Sequence, residues 1–209
     1  MGLFPIFLKL KGRRCLVVGA GKIAQAKAAG LLRSQASVVV VGPEATQWIR
    51  TKAQAGVLVW HPRKFAARDL KGAFLVVVAT NSRSANEAVA SLCARRAILC
   101  NVVDDPDHCD FFYPSIVRRG ALQIAISTGG QSPSLAHRLR VELTQQFGPG
   151  FGAWLKNVGQ RRKQLLKQRL TTQQRRKLLK EIASPESFAQ FLRNSGKKRK
   201  LRIQDGSSS

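Results

Sequence analysis

Short, continuously apolar runs alternate with longer stretches of mixed residues over the first half of the chain. Continuously apolar strands are typical of a parallel sheet that is covered on both faces. The mixed stretches are rich in Ala, Leu and Lys, which favour helices. The pattern therefore predicts strands at residues 13–19, 37–41, 57–60, 74–79 and 98–103, and helices at residues 22–33, 44–55 and 84–95.

This alternation of strand and helix predicts an α/β fold with a doubly wound parallel sheet over residues 1–113. The pattern changes beyond that point. Apolar and more polar residues alternate over 122–126, which predicts a half-buried strand. We expect this strand to pair with residues 116–117 across a turn at 118–120.

Helix-start signals mark the rest of the chain. Ser at 132 followed by Pro at 133 is typical of an N-cap and a first helical residue, and 184–185 repeat that pair. Residues 171–174 fit a capping box. The second half is therefore predicted to comprise a small α+β dimerisation or linking region at 114–150, a helical domain at 151–195 and a basic, disordered tail at 196–209.

The charge balance is extreme: 36 Lys and Arg residues against 11 Asp and Glu residues give a formal net charge of +25. Such a charge indicates an anionic partner, and nucleic acid, a membrane surface and a polycarboxylate substrate all fit it. Most of the basic residues lie in the predicted helical domain and tail. There the simplest interpretation is a solvated helix face.

Other features exclude some classes of protein. No apolar run is long enough to predict a transmembrane helix, and the apolar start lacks a preceding basic segment, so we expect a cytoplasmic location. The four cysteines form no C-x-x-C pair, and the three histidines lack metal-ligand spacing. We therefore predict no bound metal.

A glycine motif, Gly19-x-Gly21-x-x-Ala24, follows the first predicted strand and opens the first predicted helix. In such a motif the first glycine permits a tight turn and the second allows close approach of a pyrophosphate to the helix N-terminus, here at Lys22 and Ile23. The motif predicts a Rossmann-like domain that binds a dinucleotide, with a glycine turn that has lost its ligand as the alternative.

Further candidate cofactor-binding residues follow the second and fourth predicted strands. Pro43 and Glu44 come after the second strand, where a carboxylate accepts a hydrogen bond from the ribose 2′-hydroxyl and favours NAD over NADP. The alternative is that Glu44 only occupies the first turn of the next helix. Thr80 and Asn81 follow the fourth strand, at the sheet edge where ligands bind.

A polar cluster ends the fifth predicted strand. Asn101 is a candidate cofactor-binding residue, and Asp104 is a candidate general base at the same sheet edge. Asp105 lies beside it as a second acid that could share the role. From the spacing alone, an Asp that only starts a loop is the alternative.

Several motifs in this order resemble the precorrin-2 dehydrogenase and sirohydrochlorin ferrochelatase family, which comprises the amino-terminal half of siroheme synthase and its stand-alone relatives. The chain departs from the family pattern at Ala26, where Arg is common, and at Thr128, where Ser is common. The segments that carry the resemblance are 3–7, 15–21, 79–81, 100–104, 112–116 and 127–133.

The resemblance implies NAD-dependent dehydrogenation of precorrin-2 to sirohydrochlorin in siroheme biosynthesis, in some members with insertion of ferrous iron. It implies a homodimer and places the family's key carboxylate at Asp104. The substrate is a polycarboxylate, so basic residues would speed its capture. The candidate substrate-binding residues are Thr128, Gly129, Gly130 and Arg140.

A second hypothesis belongs to a different class: a dinucleotide-sensing or nucleic-acid-binding module that uses the basic helices. Clustered Lys and Arg would neutralise phosphates without sequence preference. No helix-turn-helix, RNP or zinc-finger pattern supports this hypothesis, so we do not expect nucleic acid to be the principal partner.

Overall fold

The computed structural model describes residues 2–205, with side chains as far as residue 195. The chain divides into two compact units, Phe4–Tyr113 and the segment from Pro114 onward. The first unit holds a five-stranded sheet with helices, and the second holds a two-stranded sheet and four helices. Whether residues 114–150 and 151–195 act as separate regions stays a prediction.

The first unit is a parallel sheet with the strand order β3-β2-β1-β4-β5. This topology confirms the predicted doubly wound α/β fold. Its elements in chain order are β1 (Arg14–Val18), α1 (Lys22–Arg33), β2 (Ser37–Val41), α2 (Gln47–Gln54), β3 (Val59–His61), β4 (Leu75–Val78), α3 (Arg83–Arg95) and β5 (Leu99–Val102), with short 3₁₀ turns at Ala67–Leu70 and Pro106–His108.

The central strands are buried on both faces, as their continuous apolar sequence predicts. On β1, Cys15 and Val17 pack into one core cluster, and Leu16 and Val18 into the other. The first cluster includes the buried alanines of α1, and the second includes the buried face of α3. Helices therefore cover the sheet on both sides and leave its strand ends open for a ligand.

Two predicted boundaries in this unit were wrong. Helix α2 begins at Gln47, because the Thr46 hydroxyl accepts the Ile49 N–H at 3.4 Å and caps the helix there, three residues after the predicted start. Strand β3 begins at Val59 and runs to His61, because its pairing with β2 extends over these residues only.

The second unit begins with an antiparallel hairpin, and the predicted pairing of its strands is confirmed. Arg119 pairs with Leu122 across Gly120, whose φ is +59°. Arg118 and Arg119 therefore lie in a strand, and not in the turn as predicted. The elements are β6 (Ser115–Arg119), β7 (Leu122–Ile126), α4 (Pro133–Gln146), α5 (Gly150–Leu166), α6 (Thr172–Glu181) and α7 (Pro185–Asp205).

The helices of this unit begin where the cap signals place them. The Ser132 hydroxyl accepts the Leu135 N–H at 3.2 Å at the start of α4. The predicted capping box of α6 is confirmed, with Thr171 and Gln174 each accepting the other's backbone N–H. Within the described residues, no helix is long and apolar enough to cross a membrane.

Helix α4, helix α5 and the hairpin are joined through one arginine and a glycine contact. Arg119 donates to the carbonyl oxygens of Phe147 at 2.6 Å and Thr144 at 2.8 Å, which satisfies the free carbonyl end of α4. A Cβ placed on Gly152 would lie 2.9 Å from Gly120 N, so α5 rests directly on the hairpin turn.

The predicted disordered tail at residues 196–209 needs a correction. Helix α7 continues to Asp205, because Lys, Arg, Leu and Gln favour a helix and no proline interrupts them. Residues 206–209 lie outside the described part of the chain, as do the side chains of residues 196–205.

Candidate functional site

The predicted cofactor-binding residues gather at the carboxyl edge of the parallel sheet. The strand order reverses direction between β1 and β4, and ligands of doubly wound sheets bind in the crevice at that point. Gly19 follows β1, and Thr80 follows β4 after Ala79. The glycine motif and the fourth strand's polar residues therefore flank the same crevice.

Gly19 occupies a position that no other residue fits. Its φ is +105°, and a Cβ there would lie 2.2 Å from the carbonyl oxygen of Ala79. Its N–H donates to the Val41 carbonyl at 2.8 Å, which ties the turn to the end of β2. The close approach of the β1 and β4 chain ends therefore depends on the missing side chain.

Gly21 serves a different purpose, because it leaves space open. It is the N-cap of α1, makes no side-chain cap, and has nothing within 4 Å of the position of a Cβ. The first N–H groups of α1, from Lys22 and Ile23 onward, thus have no partner within the helix. Lys22 and Ile23 are exposed. An open helix N-terminus of this kind fits the pyrophosphate of a dinucleotide.

Pro43 and Glu44 lie in an exposed loop between β2 and α2. Trp60 Nε1 donates to the carbonyl oxygen of Gly42 at 2.9 Å and anchors the start of this loop. Because α2 begins only at Gln47, the alternative that Glu44 lies in the first turn of that helix is wrong. The Glu44 carboxylate belongs to the sheet edge, where a ribose hydroxyl of a bound dinucleotide would be placed.

Thr80 and Asn81 form the link between β4 and α3. The Thr80 hydroxyl contacts Asn86 Oδ1 at 2.6 Å and accepts the Ser82 N–H at 3.2 Å, while Asn86 Nδ2 donates to the Thr80 carbonyl at 3.2 Å. Asn81 is exposed at the tip. Asn86 therefore holds the shape of this loop, a role that sequence reasoning missed, since its position inside a helix carries no motif.

Asn101 is buried, and its amide donors are used within the protein. Its Nδ2 donates to the Phe111 carbonyl at 2.8 Å and to Cys109 Sγ at 3.3 Å. Only Oδ1 remains to accept a hydrogen bond from a ligand. The structure thus gives Asn101 an anchoring contact with the loop after β5, beside its predicted part in cofactor binding.

Asp104 stands on a tight turn directly after β5. The Asp105 N–H donates to the Val102 carbonyl at 3.3 Å, and Asp104, the third residue of the turn, has a φ of +61°. This left-handed conformation is unusual for a residue other than glycine, although Asp tolerates it. The turn exposes Asp104 to solvent. Asp105 is engaged elsewhere, with its Oδ2 at 2.8 Å from His108 Nδ1.

Sequence reasoning missed Lys27 as a residue of this site. Its Nζ lies 3.6 Å from the centroid of the Tyr113 ring, a cation–π contact. Burial lowers the pKa of Lys27, and the nearby Asp104 carboxylate opposes that shift. The available signals were its place on α1, six residues after Gly21, and its position directly after Ala26, where the chain departs from the family pattern.

The candidate substrate-binding residues belong to the second unit, on and before α4. The Thr128 hydroxyl donates to the Ser132 carbonyl at 3.1 Å and accepts the Ser132 N–H at 3.2 Å. Gly129 and Gly130 have φ values of +62° and +84°, and both have open space where a Cβ would be. Arg140 contacts His137 Nδ1 at 3.5 Å. The loop is thus ordered by its own hydrogen bonds and presents free backbone at its tip.

Throughout the described residues, no group of three or more His, Cys, Asp or Glu side chains could hold a metal ion. The sheet edge instead carries the exposed carboxylates of Glu44 and Asp104.

A parallel sheet of this order, with a glycine turn at its switch point and an open helix N-terminus, defines a dinucleotide-binding protein of the Rossmann class. Residues 6–115 match the family of putative NAD(P)-binding proteins, and residues 119–146 match the central part of sirohaem biosynthesis proteins. The chain belongs to this NAD(P)-binding family, and the predicted membership of the precorrin-2 dehydrogenase and siroheme synthase family is confirmed.

Individual relatives agree with this membership. The chain is 41% identical over 194 residues to a siroheme synthase of Photorhabdus laumondii, and 36% identical over 190 residues to that of Nitrosococcus oceani. These matches cover 93% and 91% of this chain but only 41% and 40% of the relatives, so the chain spans about two fifths of their length. The solved structure of SirC, a precorrin-2 dehydrogenase, is 27% identical with a TM-score of 0.77, and the match covers 93% of this chain and 100% of that one.

Proposed function

We propose that the protein oxidises precorrin-2 to sirohydrochlorin with NAD. The observation that carries the proposal is the position of Asp104: an exposed carboxylate on a left-handed turn at the same sheet edge as the glycine motif. Left-handed backbone outside glycine is often retained where function needs it. The likeness to SirC and to siroheme synthases supports the substrate class.

The residues of the first unit fit the dinucleotide. The backbone at Gly19 and Gly21 and the N-terminus of α1 would hold the pyrophosphate. Glu44 would accept a hydrogen bond from the ribose, with Pro43, Thr80, Asn81 and Asn101 around it. When bound, NAD supplies the hydride acceptor.

The chemistry of this chain's own residues is proton transfer and orientation. Loss of a hydride from a ring carbon of the substrate leaves a proton to be removed, and the Asp104 carboxylate would accept it. Thr128, Gly129, Gly130 and Arg140 would hold the substrate's carboxylates through backbone N–H groups and a guanidinium. Iron insertion into the product also requires loss of pyrrole protons, so ferrous iron as a further substrate would draw on the same Asp104.

We further propose that the protein is a homodimer in the cytoplasm. Its four cysteines are free, which suits a reducing compartment. Leu135 and Val141 are apolar side chains on α4 that are 37% and 39% exposed, and a second copy could cover them. Light scattering of the purified chain tests the dimer: a monomeric mass at micromolar concentration would remove that part of the proposal.

The test of the activity is anaerobic turnover of precorrin-2 with NAD, followed by the absorbance of sirohydrochlorin. Asp104→Asn keeps the shape of the turn, because Asn tolerates a positive φ, but removes the carboxylate. We expect turnover to fall by about a hundredfold or more with NAD binding intact.

Asp105→Asn is the matched control, because Asp105 already pairs with His108. It should keep most of the activity. Equal losses in the two variants would assign the chemistry to the acidic pair and not to Asp104. An inactive wild-type chain that still binds NAD would contradict the proposed dehydrogenase activity. Ferrous iron and sirohydrochlorin would then be the substrates to test.

A nucleic-acid-binding module is the second candidate, and one observation favours it. None of the ion pairs in the described part of the chain involves the basic side chains of α5 or α6, which are thus uncompensated. Duplex binding that falls steeply with salt, in a chain without turnover, would favour this candidate. The basic side chains of α5 and α6 are Lys156, Arg161, Arg162, Lys163, Arg175, Arg176, Lys177 and Lys180.

A further inference from the structure

Lys27 lies in the second turn of α1, the helix that begins at the carboxyl edge of the sheet. It lies six residues after Gly21, which is about 9 Å along the helix axis. Side chains on a helix lean toward its N-terminus, so the ammonium reaches back toward the ligand edge. The ring of Tyr113 supports it there, 3.6 Å from Nζ.

This ammonium has no acceptor of its own. Among the described residues it takes part in no ion pair. The face of the Tyr113 ring attracts the positive charge but has no lone pair to accept an N–H hydrogen bond. The Lys27 side chain is only partly exposed, and burial lowers its pKa. A half-buried ammonium is costly unless water or a ligand accepts hydrogen bonds from its N–H groups.

Lys27 contacts the segment that follows β5 and carries Asp104, because its Nζ lies over the ring of Tyr113 in that segment. The Asp104 carboxylate favours the charged form of Lys27 and so opposes the lowering of its pKa by burial. The cofactor's pyrophosphate is already provided for by the open N-terminus of α1 at Gly21. Lys27 is therefore assigned to the same ligand as Asp104.

We propose that Lys27 binds a carboxylate of the tetrapyrrole substrate and so orients the macrocycle against Asp104. This inference rests on the proposed function and names a contact within it. An ammonium that contacts an aromatic ring suits a carboxylate ligand. The ring fixes the position of the ammonium, and the N–H groups that face away from the ring donate hydrogen bonds to the carboxylate. Substrates that lack carboxylates at the matching edge would be bound less well.

The experiment measures direct binding and turnover in the NAD-loaded full chain. Binding uses the fluorescence of uroporphyrin, a stable porphyrin rich in carboxylates, and turnover uses precorrin-2. Lys27→Met keeps the length of the side chain and removes the charge. We expect about tenfold weaker uroporphyrin binding and a similar rise in KM for precorrin-2, with kcat changed by less than about threefold.

Three comparisons make the result specific. Lys27→Arg keeps the charge and should restore most of the affinity. Lys64→Met removes an equivalent charge from an exposed position in the same unit and should change little. Lys27→Gln replaces Lys27→Met if the latter unfolds at a lower temperature than the wild type.

The outcomes separate this proposal from the proposed function. Unchanged uroporphyrin affinity in Lys27→Met, or an equal loss in Lys64→Met, overturns the role of Lys27 alone. A loss of NAD affinity in Lys27→Met assigns the ammonium to the cofactor and overturns it as well. Uroporphyrin binding that depends on Lys27, without turnover of precorrin-2, supports the Lys27 contact and contradicts only the proposed dehydrogenase activity. A wild-type chain with neither binding nor turnover contradicts both proposals.

Discussion

At the scale of single residues, two glycines of one motif meet opposite demands. Gly19 is required because neighbouring backbone already fills the place of its side chain. Gly21 is required because that place must remain empty for a ligand. Glycine therefore serves packing at position 19 and ligand binding at position 21. Alanine substitutions at the two positions distinguish these roles.

We predict that Gly19→Ala destabilises the fold and that Gly21→Ala does not. The new methyl at position 19 would lie 2.2 Å from the Ala79 oxygen, at a φ of +105°, so we expect a loss of about 3 kcal/mol in unfolding free energy. Urea unfolding measures it.

Gly21→Ala should unfold like the wild type but bind NAD about tenfold more weakly, because its methyl occupies the approach to the helix N-terminus. Calorimetric titration with NAD measures this loss. Unchanged NAD affinity in Gly21→Ala would mean that the pyrophosphate lies elsewhere.

At the scale of elements, helix α5 depends on one glycine for its contact with the β6–β7 turn. Gly152 faces the backbone of Arg119 and Gly120, each 2.9 Å from where its Cβ would be. The aromatic side chains of Phe147, Phe151 and Trp154 pack next to this contact, with ring centroids 5.0 Å apart. A change at Gly152 should therefore loosen both the helix and the aromatic cluster.

We predict that Gly152→Ala lowers the unfolding free energy by about 2 kcal/mol, since backbone atoms cannot move aside as a flexible side chain would. Thermal unfolding followed by circular dichroism measures it. Gly159→Ala is the control in the same helix, with open space at its Cβ, and should raise stability by up to about 1 kcal/mol. A stabilising effect in both variants would contradict the contact between α5 and the hairpin.

At the scale of the whole molecule, the net charge of +25 dominates how the chain meets other molecules. The fields of exposed charges raise the rate at which an oppositely charged ligand is captured, and salt screens them over about 10 Å at 0.1 M. A polycarboxylate substrate would gain from this attraction, whatever residues finally hold it.

We predict that kcat/KM for precorrin-2 falls about tenfold as the ionic strength rises from low to physiological values, while kcat stays nearly constant. Steady-state rates over a salt series measure it, and chloride and acetate salts should give the same curve if screening is the cause. A kcat/KM that is indifferent to salt would mean that the basic residues do not steer the substrate.

Local sequence determined most helices and strands and part of the candidate site, namely the glycine motif and Asp104. Helix α1 and strand β2 have the predicted bounds, because periodicity and the glycine motif are contained within a few residues. The hairpin pairing and the caps at Ser132 and Thr171 follow for the same reason, since each is an interaction between near neighbours in the chain. The carboxyl-edge position of Asp104 was also available, because it follows directly from the end of a strand.

Only the tertiary structure decided the strand order, the clash that makes Gly19 irreplaceable, and the contact of Lys27 with Tyr113. It also ended β3 at His61 through pairing with β2. These features join residues far apart in the chain, so no local pattern encodes them. They arise because the sheet must bury its two faces, and that packing selects which distant side chains share the ligand edge.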